Sequence, residues 1–329
     1  MKILHVLFTT SIAVAVATPS GGRSSETPRI LQRQAGNQSS SSSLQPNFTH
    51  AQLWDLNTKF LDAFIYPANV KEAKAINSTI LAEDVQGRVD ITRTFSGREL
   101  NTEYLFGLFA NLAAADAGAI SLLGIPLSYE VLHFAASQNV VAALTRFQFN
   151  FTALNLVLPV DIDAWNTYNS KGEITQYDAT FKYWQWVVDY LIGAAGKKFG
   201  TKSLEATVGV LTQTIAKSIC GTATKSCNGT NTQYASPAEC LNFLTKQVRF
   251  GKAYELGKNT LLCRMVHQNM VPFRPDVHCS HIGPSGGGYC SDDKSYLQTV
   301  SENYFERSPY VPFGFVGQGG GGASGPVAA

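Results

Sequence analysis

Between Cys263 and Asp293 the chain gathers three of its six histidines, three of its six cysteines and two adjacent aspartates. The runs are Cys263-Arg264-Met265-Val266-His267, then His278-Cys279-Ser280-His281, then Cys290-Ser291-Asp292-Asp293. His278 and His281 stand at i, i+3. Joined by His267 or Asp292, they have the donor set for zinc or copper held through imidazole nitrogen. Structural use is the competing reading: loops dense in Pro and Gly need cross-links, and paired C-x₂-C zinc spacing is absent. Gly283-Pro284-Ser285-Gly286-Gly287 has the letters of a nucleophile elbow, but it lies in a loop between cysteines and not between a strand and a helix. It reads as a chance match.

A second set of candidates comes from strand alternation. Asp90, Thr92, His133 and Asp178 are expected to share one sheet face, with Tyr129, Trp165 and Tyr177 as wall residues. An Asp90 or Asp178 carboxyl paired with His133 in an apolar cup is what proton transfer needs, because burial lifts a carboxyl toward neutrality where imidazole already titrates. The plainer alternative is a hydrogen-bonded structural histidine, with Asp90 ion-paired to Arg88 or Arg93.

All six cysteines lie in the last third: Cys220, Cys227, Cys240, Cys263, Cys279 and Cys290. Residues 1–17 have a basic start, an apolar run and the small triplet Ala15-Val16-Ala17, which is the pattern of a secretory signal peptide. Export to an oxidising compartment and up to three disulfides follow as expectations. Six cysteines allow 15 pairings; a local Cys220–Cys227 loop and a Cys240–Cys263 bridge are the preferred ones. Sequons at Asn37, Asn47, Asn77, Asn150 and Asn228 are candidate glycosylation sites behind such a leader.

Net charge is +2 with 15% charged residues, so no basic surface points to nucleic acid. No apolar run after the leader is long enough to span a membrane. Phosphate-loop, H-E-x-x-H and dinucleotide fingerprints are absent, so no cofactor is expected.

The elements that must position these residues read as follows. Helical spacing runs through Leu53, Leu56, Phe60, Leu61 and Phe64, then over 70–76, and again over 98–115. Strands are expected over 85–97, 127–135 and 142–158, where Phe147, Phe149 and Phe151 alternate with polar residues. Residues 159–168 and 174–181 form a hairpin about Asn169-Ser170-Lys171-Gly172. Helices follow over 183–195 and 204–219. This order predicts an α+β fold, a curved antiparallel sheet packed on helices around a cone-like cavity.

Leu81-Ala82-Glu83-Asp84-Val85, the strand after it, and the hairpin Trp165 to Asp178 resemble the NTF2-like superfamily, particularly its SnoaL-like members. The resemblance covers about residues 50–195. It implies a small ligand in the cone and, in enzymes of the group, an inward Asp or His helped by Tyr or Trp. The cysteine-rich extension resembles secreted filamentous-fungal proteins. The expected layout is a leader (1–17), a disordered Ser/Gly-rich segment (18–46), an NTF2-like domain (47–198), a disulfide-stapled helix-and-loop extension (199–316) and a disordered Gly-rich tail (317–329). Three roles remain open: binding a small apolar ligand or an extracellular or host component; a SnoaL-like cyclase, isomerase or dehydratase; and a metal-dependent activity at His267, His278 and His281.

Overall fold

The computed structural model describes residues 46–110, 112, 121–302 and 304–305. The leader, most of the segment over 18–46, Asn37 and the tail over 317–329 lie outside the described residues.

Helix α1 (His50–Phe64) starts at a capping box, in which Thr49 accepts from the Gln52 backbone and the Gln52 side chain accepts from Thr49 N–H. It buries Leu53, Asn57, Leu61 and Phe64 on one face. Helix α2 (Ala68–Ala75) follows. The six strands are β1 (Leu81–Val89), β2 (Thr94–Ser96), β3 (Ile125–Ser137), β4 (Val140–Phe151), β5 (Leu156–Tyr168) and β6 (Ile174–Phe181). They form one sheet in the order β2-β1-β6-β5-β4-β3. Every neighbouring pair is antiparallel except β1 with β6, which is parallel.

The mixed α+β fold expected from the sequence is therefore present, with two local differences. The strand expected over 85–97 is a tight hairpin, because Val89 and Arg93 close a turn across Asp90–Thr92. The strand expected over 142–158 breaks at a short turn, Thr152–Leu154, where Asn155 takes a left-handed φ of 53°. Asparagine tolerates that conformation better than most residues. The expected alternation of Phe147, Phe149 and Phe151 holds, and all three rings are buried. Phe147 meets Phe64 of α1 edge to face at 5.1 Å. Each such ring contributes about 2–3 kcal/mol by its burial.

Between β2 and β3 the chain runs as α3 (Arg98–Thr102), a π-helical turn (Glu103–Gly107) and α4 (Leu108–Ala110). Beyond the sheet come α5 (Trp184–Phe199), α6 (Leu204–Ser226), α7 (Pro237–Lys246), α8 (Leu261–His267), α9 (Pro275–Ile282) and α10 (Tyr296–Val300). Ser203, Ser236 and Thr260 cap α6, α7 and α8 through their hydroxyls.

All six cysteines are bridged, as Cys220–Cys240, Cys227–Cys279 and Cys263–Cys290. The preferred Cys220–Cys227 and Cys240–Cys263 pairs are thus corrected. Helix α6 continues past Ile219 to Ser226, so Cys220 and Cys227 sit two turns apart on one rigid rod. At 1.5 Å per residue that is about 10 Å, beyond the reach of a disulfide. Cys240 instead faces Cys220 across the α6–α7 contact, and Cys263 of α8 reaches the loop at Cys290.

The helical region closes the sheet rather than hanging from it. Leu256 N–H donates to Ile91 O at 3.0 Å, and Arg93 donates to Gly257 O at 2.8 Å and to Ser291 O at 2.7 Å. On the far side, Tyr304 O–H donates to Phe95 O at 2.6 Å and covers edge strand β2.

Candidate functional site

The inner face of the sheet borders a cavity of about 90 Å³. About 10–15 Å³ of such space holds one water, so the chamber can take a small ring system. Phe60 and Phe64 of α1, Phe95, Phe147 and Phe181 supply rings to the wall. Leu256 and Val266 from the helical region close it. The polar lining is sparse: Asn57, Thr92, Thr145, Asn166, Tyr104 and Tyr177. Asn57 is buried and its Nδ2 has no hydrogen-bond partner, leaving an amide donor in the apolar wall. Tyr177 donates to Asn101 Oδ1 at 2.8 Å. Burial drives the hydroxyls of both Tyr104 and Tyr177 well above the usual tyrosine pKa, so both stay neutral donors.

Behind this wall lies a second constellation. His267 ends α8, and His278 and His281 lie on α9; all three rings are buried. His281 Nδ1 stands 3.2 Å from His278 Nδ1 and 3.1 Å from His267 Nδ1. The π turn brings up two more groups. The Tyr104 hydroxyl lies 3.3 Å from His267 Nδ1, and Glu103 Oε1 lies 3.1 Å from His278 Nε2. That last contact is short but off the N–H direction, so both Glu103 oxygens and His278 Nε2 lack a formed hydrogen bond. Arg274 approaches the same carboxylate at 3.5 Å. A π turn inserts one residue into a helix and is frequent at functional sites; here it points Glu103 and Tyr104 at the histidines.

Burial first, then the neighbouring His281 and His278, hold the His267 ring well below its usual pKa. Burial and then His278 lower His281 to about 3. Unfolded, these rings take a proton below about pH 6.5, so the unfolded chain binds more protons there. Stability is then complete above about pH 6.5 and is lost as pH falls toward about 3. The urea midpoint is expected to drop clearly between pH 7.5 and pH 5; a flat profile would show these rings charged in the fold.

The structure does not bring Asp90, Asp178 and His133 together. His133 is exposed on edge strand β3, where its register opposite Leu144 puts it on the face away from the chamber. Asp178 is ion-paired to Arg88, whose Nε stands 2.9 Å away. Asp90, exposed at the end of β1, accepts from Phe181 N–H at 3.1 Å. The acid/base pair expected of them is corrected: alternation gives parity along a strand but not which parity faces inward. Trp165 is likewise 45% exposed, and Tyr129 donates to Asp62 at 2.7 Å, whereas Thr92 and Tyr177 do line the chamber. Asp292 pairs with Arg249 at 2.9 Å and lies apart from the histidines. Cys263 and Cys290 adjoin His267 but are consumed by their disulfide. Ser285 caps the turn at Gly287 and makes no nucleophile elbow. Of the sequon asparagines, Asn47, Asn77 and Asn228 are exposed, and Asn150 is half-buried in β4.

The BfoA N-terminal domain model matches residues 58–179, and the BfoA family C-terminal domain model matches residues 183–293. The chain belongs to the BfoA family. The two matched segments divide near Lys182, so the chamber draws on both of them and the histidines on the second alone. The chain is 47% identical over 282 residues to the aurasperone B biosynthesis cluster protein A of Aspergillus niger, covering 85% of this chain and 88% of that one. It is 48% identical over 264 residues to the bifonsecin B biosynthesis cluster protein A of Aspergillus brasiliensis, covering 80% and 87%. Solved structures similar to it include a SnoaL-like family protein of Agrobacterium tumefaciens (10% identity, TM-score 0.29, 40% of this chain and 98% of that one). A Catenulispora acidiphila protein with a ketosteroid isomerase-like fold is similar too (15% identity, TM-score 0.29, 40% and 87%).

In this BfoA family member, sequence reasoning missed Glu103, Tyr104 and Asn57. The spacing Leu100, Tyr104, Leu105, Leu108 reads as an unbroken helix, so no signal marked the inserted residue.

Proposed function

We propose that this protein binds a small aromatic molecule in the apolar chamber and serves fungal secondary metabolism as a binding or guiding protein. The carrying observation is the wall: aromatic rings, one unpartnered amide donor at Asn57, and, among the described residues, no Asp, Glu or His. Such a wall holds a flat apolar ring system and orients one oxygen, and it supplies no acid/base pair. The names of the Aspergillus relatives, both proteins of biosynthesis clusters, support this reading. Export remains part of the proposal. It is supported by three disulfides, which persist in oxidising compartments, and by exposed sequons at Asn47, Asn77 and Asn228.

The test is titration of the full chain with 2-naphthol, read by calorimetry. Saturable one-site binding is expected. Ala164→Phe, which places a ring in the chamber, should weaken it at least about tenfold, with Ala164→Val intermediate. Asn57→Leu should weaken naphthol more than naphthalene, because only naphthol offers an oxygen. Binding untouched by Ala164→Phe in a folded protein, or none at millimolar ligand, would sink the reading.

A further inference from the structure

We infer that His267, His278 and His281 form a three-nitrogen centre for one divalent first-row transition ion of the zinc or copper class. Three observations converge on it, independently of the chamber's ligand.

The first is distance. Two imidazole nitrogens bound to one ion at about 2.0–2.1 Å in a tetrahedral arrangement stand about 3.3 Å apart. The two Nδ1 separations here are 3.2 and 3.1 Å, and a ligand nitrogen from each of the three rings lies within 4.8 Å of the others.

The second is tautomer count. A neutral imidazole Nδ1 carries either one proton or one lone pair, directed in the ring plane. His281 Nδ1 faces two other Nδ1 atoms, so its one in-plane proton or lone pair is shared between two directions as a bent three-centre contact. Without a cation, at most one of these two buried approaches is a well-aligned hydrogen bond. With a cation between them, all three Nδ1 atoms present lone pairs and all three protons move to Nε2.

The third is the support around the rings. His278 Nε2 then carries a proton beside Glu103 Oε1, 3.1 Å away. Metal-bound histidines commonly turn their outer N–H to a carboxylate, and a small rotation of the ring or the carboxylate would complete that bond here. Glu103 is 1% exposed with no hydrogen bond formed to either oxygen and Arg274 3.5 Å away as its counter-charge, so a nearby cation would add to the compensation of this buried carboxylate. Imidazole suits both zinc and copper, and the Cys263–Cys290 disulfide removes the adjacent sulfurs as thiolates. Three protein nitrogens leave a fourth position, the ligand count of reactive rather than purely structural zinc sites.

The experiment uses the full chain, purified without reductant, stripped with a chelator, and titrated separately with zinc chloride and copper(II) chloride. One equivalent of at least one ion should bind, and the thermal midpoint should rise with it. His278→Gln and His281→Gln should each abolish saturable binding, Glu103→Gln should weaken it about 10–100-fold, and the exposed His133→Gln should leave it unchanged. If the histidine variants fail to fold, the wild-type copper form decides: its electron paramagnetic resonance spectrum should show splitting from three ligating nitrogens. Folded wild-type protein that takes up neither ion would overturn the assignment. So would binding that survives His281→Gln, or that appears only after the disulfides are reduced.

Discussion

Replacing Cys227 and Cys279 together with serine is expected to lower the thermal midpoint by roughly 10 °C. The bridge closes a loop with a sequence separation of 52, and cross-linking a loop of that length restricts the unfolded chain by about 4 kcal/mol. Both sulfurs are buried, so the two serines also bring hydroxyls into an apolar contact between the end of α6 and α9. The Cys220–Cys240 pair, with a separation of 20, should cost less when removed, about 3 kcal/mol. Calorimetric scans of the two double variants give both the size and the order of the effects. A loss of under about 2 °C for the Cys227/Cys279 pair would show that the helices hold α9 without it. Because α9 carries His278 and His281, this variant should also loosen the histidine cluster, which the Cys220–Cys240 variant should leave intact.

Arg264→Met is expected to destabilise the fold by about 3 kcal/mol. The side chain is fully buried, 0% exposed, and its guanidinium hydrogen bonds run to backbone oxygens. It donates to Gly283 O and Thr260 O, each at 3.2 Å, and to Pro284 O at 3.4 Å, with the Phe243 ring 5.6 Å away. One cation thus satisfies the carbonyls where α9 ends and the one that precedes α8. Methionine keeps most of the volume but none of the donors; Gly283 O and Thr260 O keep the backbone N–H of Gly286 and Arg264, so the expected loss is that of three charge-assisted hydrogen bonds and of the one donor to Pro284 O. Arg264→Ala should cost more, because it opens a cavity as well. Urea denaturation of the two variants separates the contributions. A methionine variant within 1 kcal/mol of wild type would mean that water replaces the guanidinium.

Much of the sheet could be read from residue order. Phe147, Phe149 and Phe151 announced a half-buried strand by period two, and Asn169 to Gly172 announced the hairpin that joins β5 to β6. The i, i+3 pair His278 and His281 was legible as a ligand set with His267, but the helix α9 that carries it was not. What stayed hidden was set by contacts distant in sequence. His133 has strand parity as clear as that of Phe147, but only the register of β3 against β4 decides that it faces away from the chamber. The disulfide partners depend on where α6 stops, seven residues beyond the end its hydrophobic spacing suggested. Glu103 reaches His278 across 175 residues because of one extra residue in a helical turn, and hydrophobic periodicity is blind to a single insertion.

The Tyr104 ring has a consequence for how the two interior compartments communicate. One side of the phenol belongs to the chamber wall and stacks on Phe95 at 3.7 Å, while its oxygen touches His267. A guest that displaces this ring by a few tenths of an ångström moves an oxygen at the imidazole cluster by a similar amount. The partition is a single aromatic side chain thick, so a spectroscopic label on either side would report on occupancy of the other.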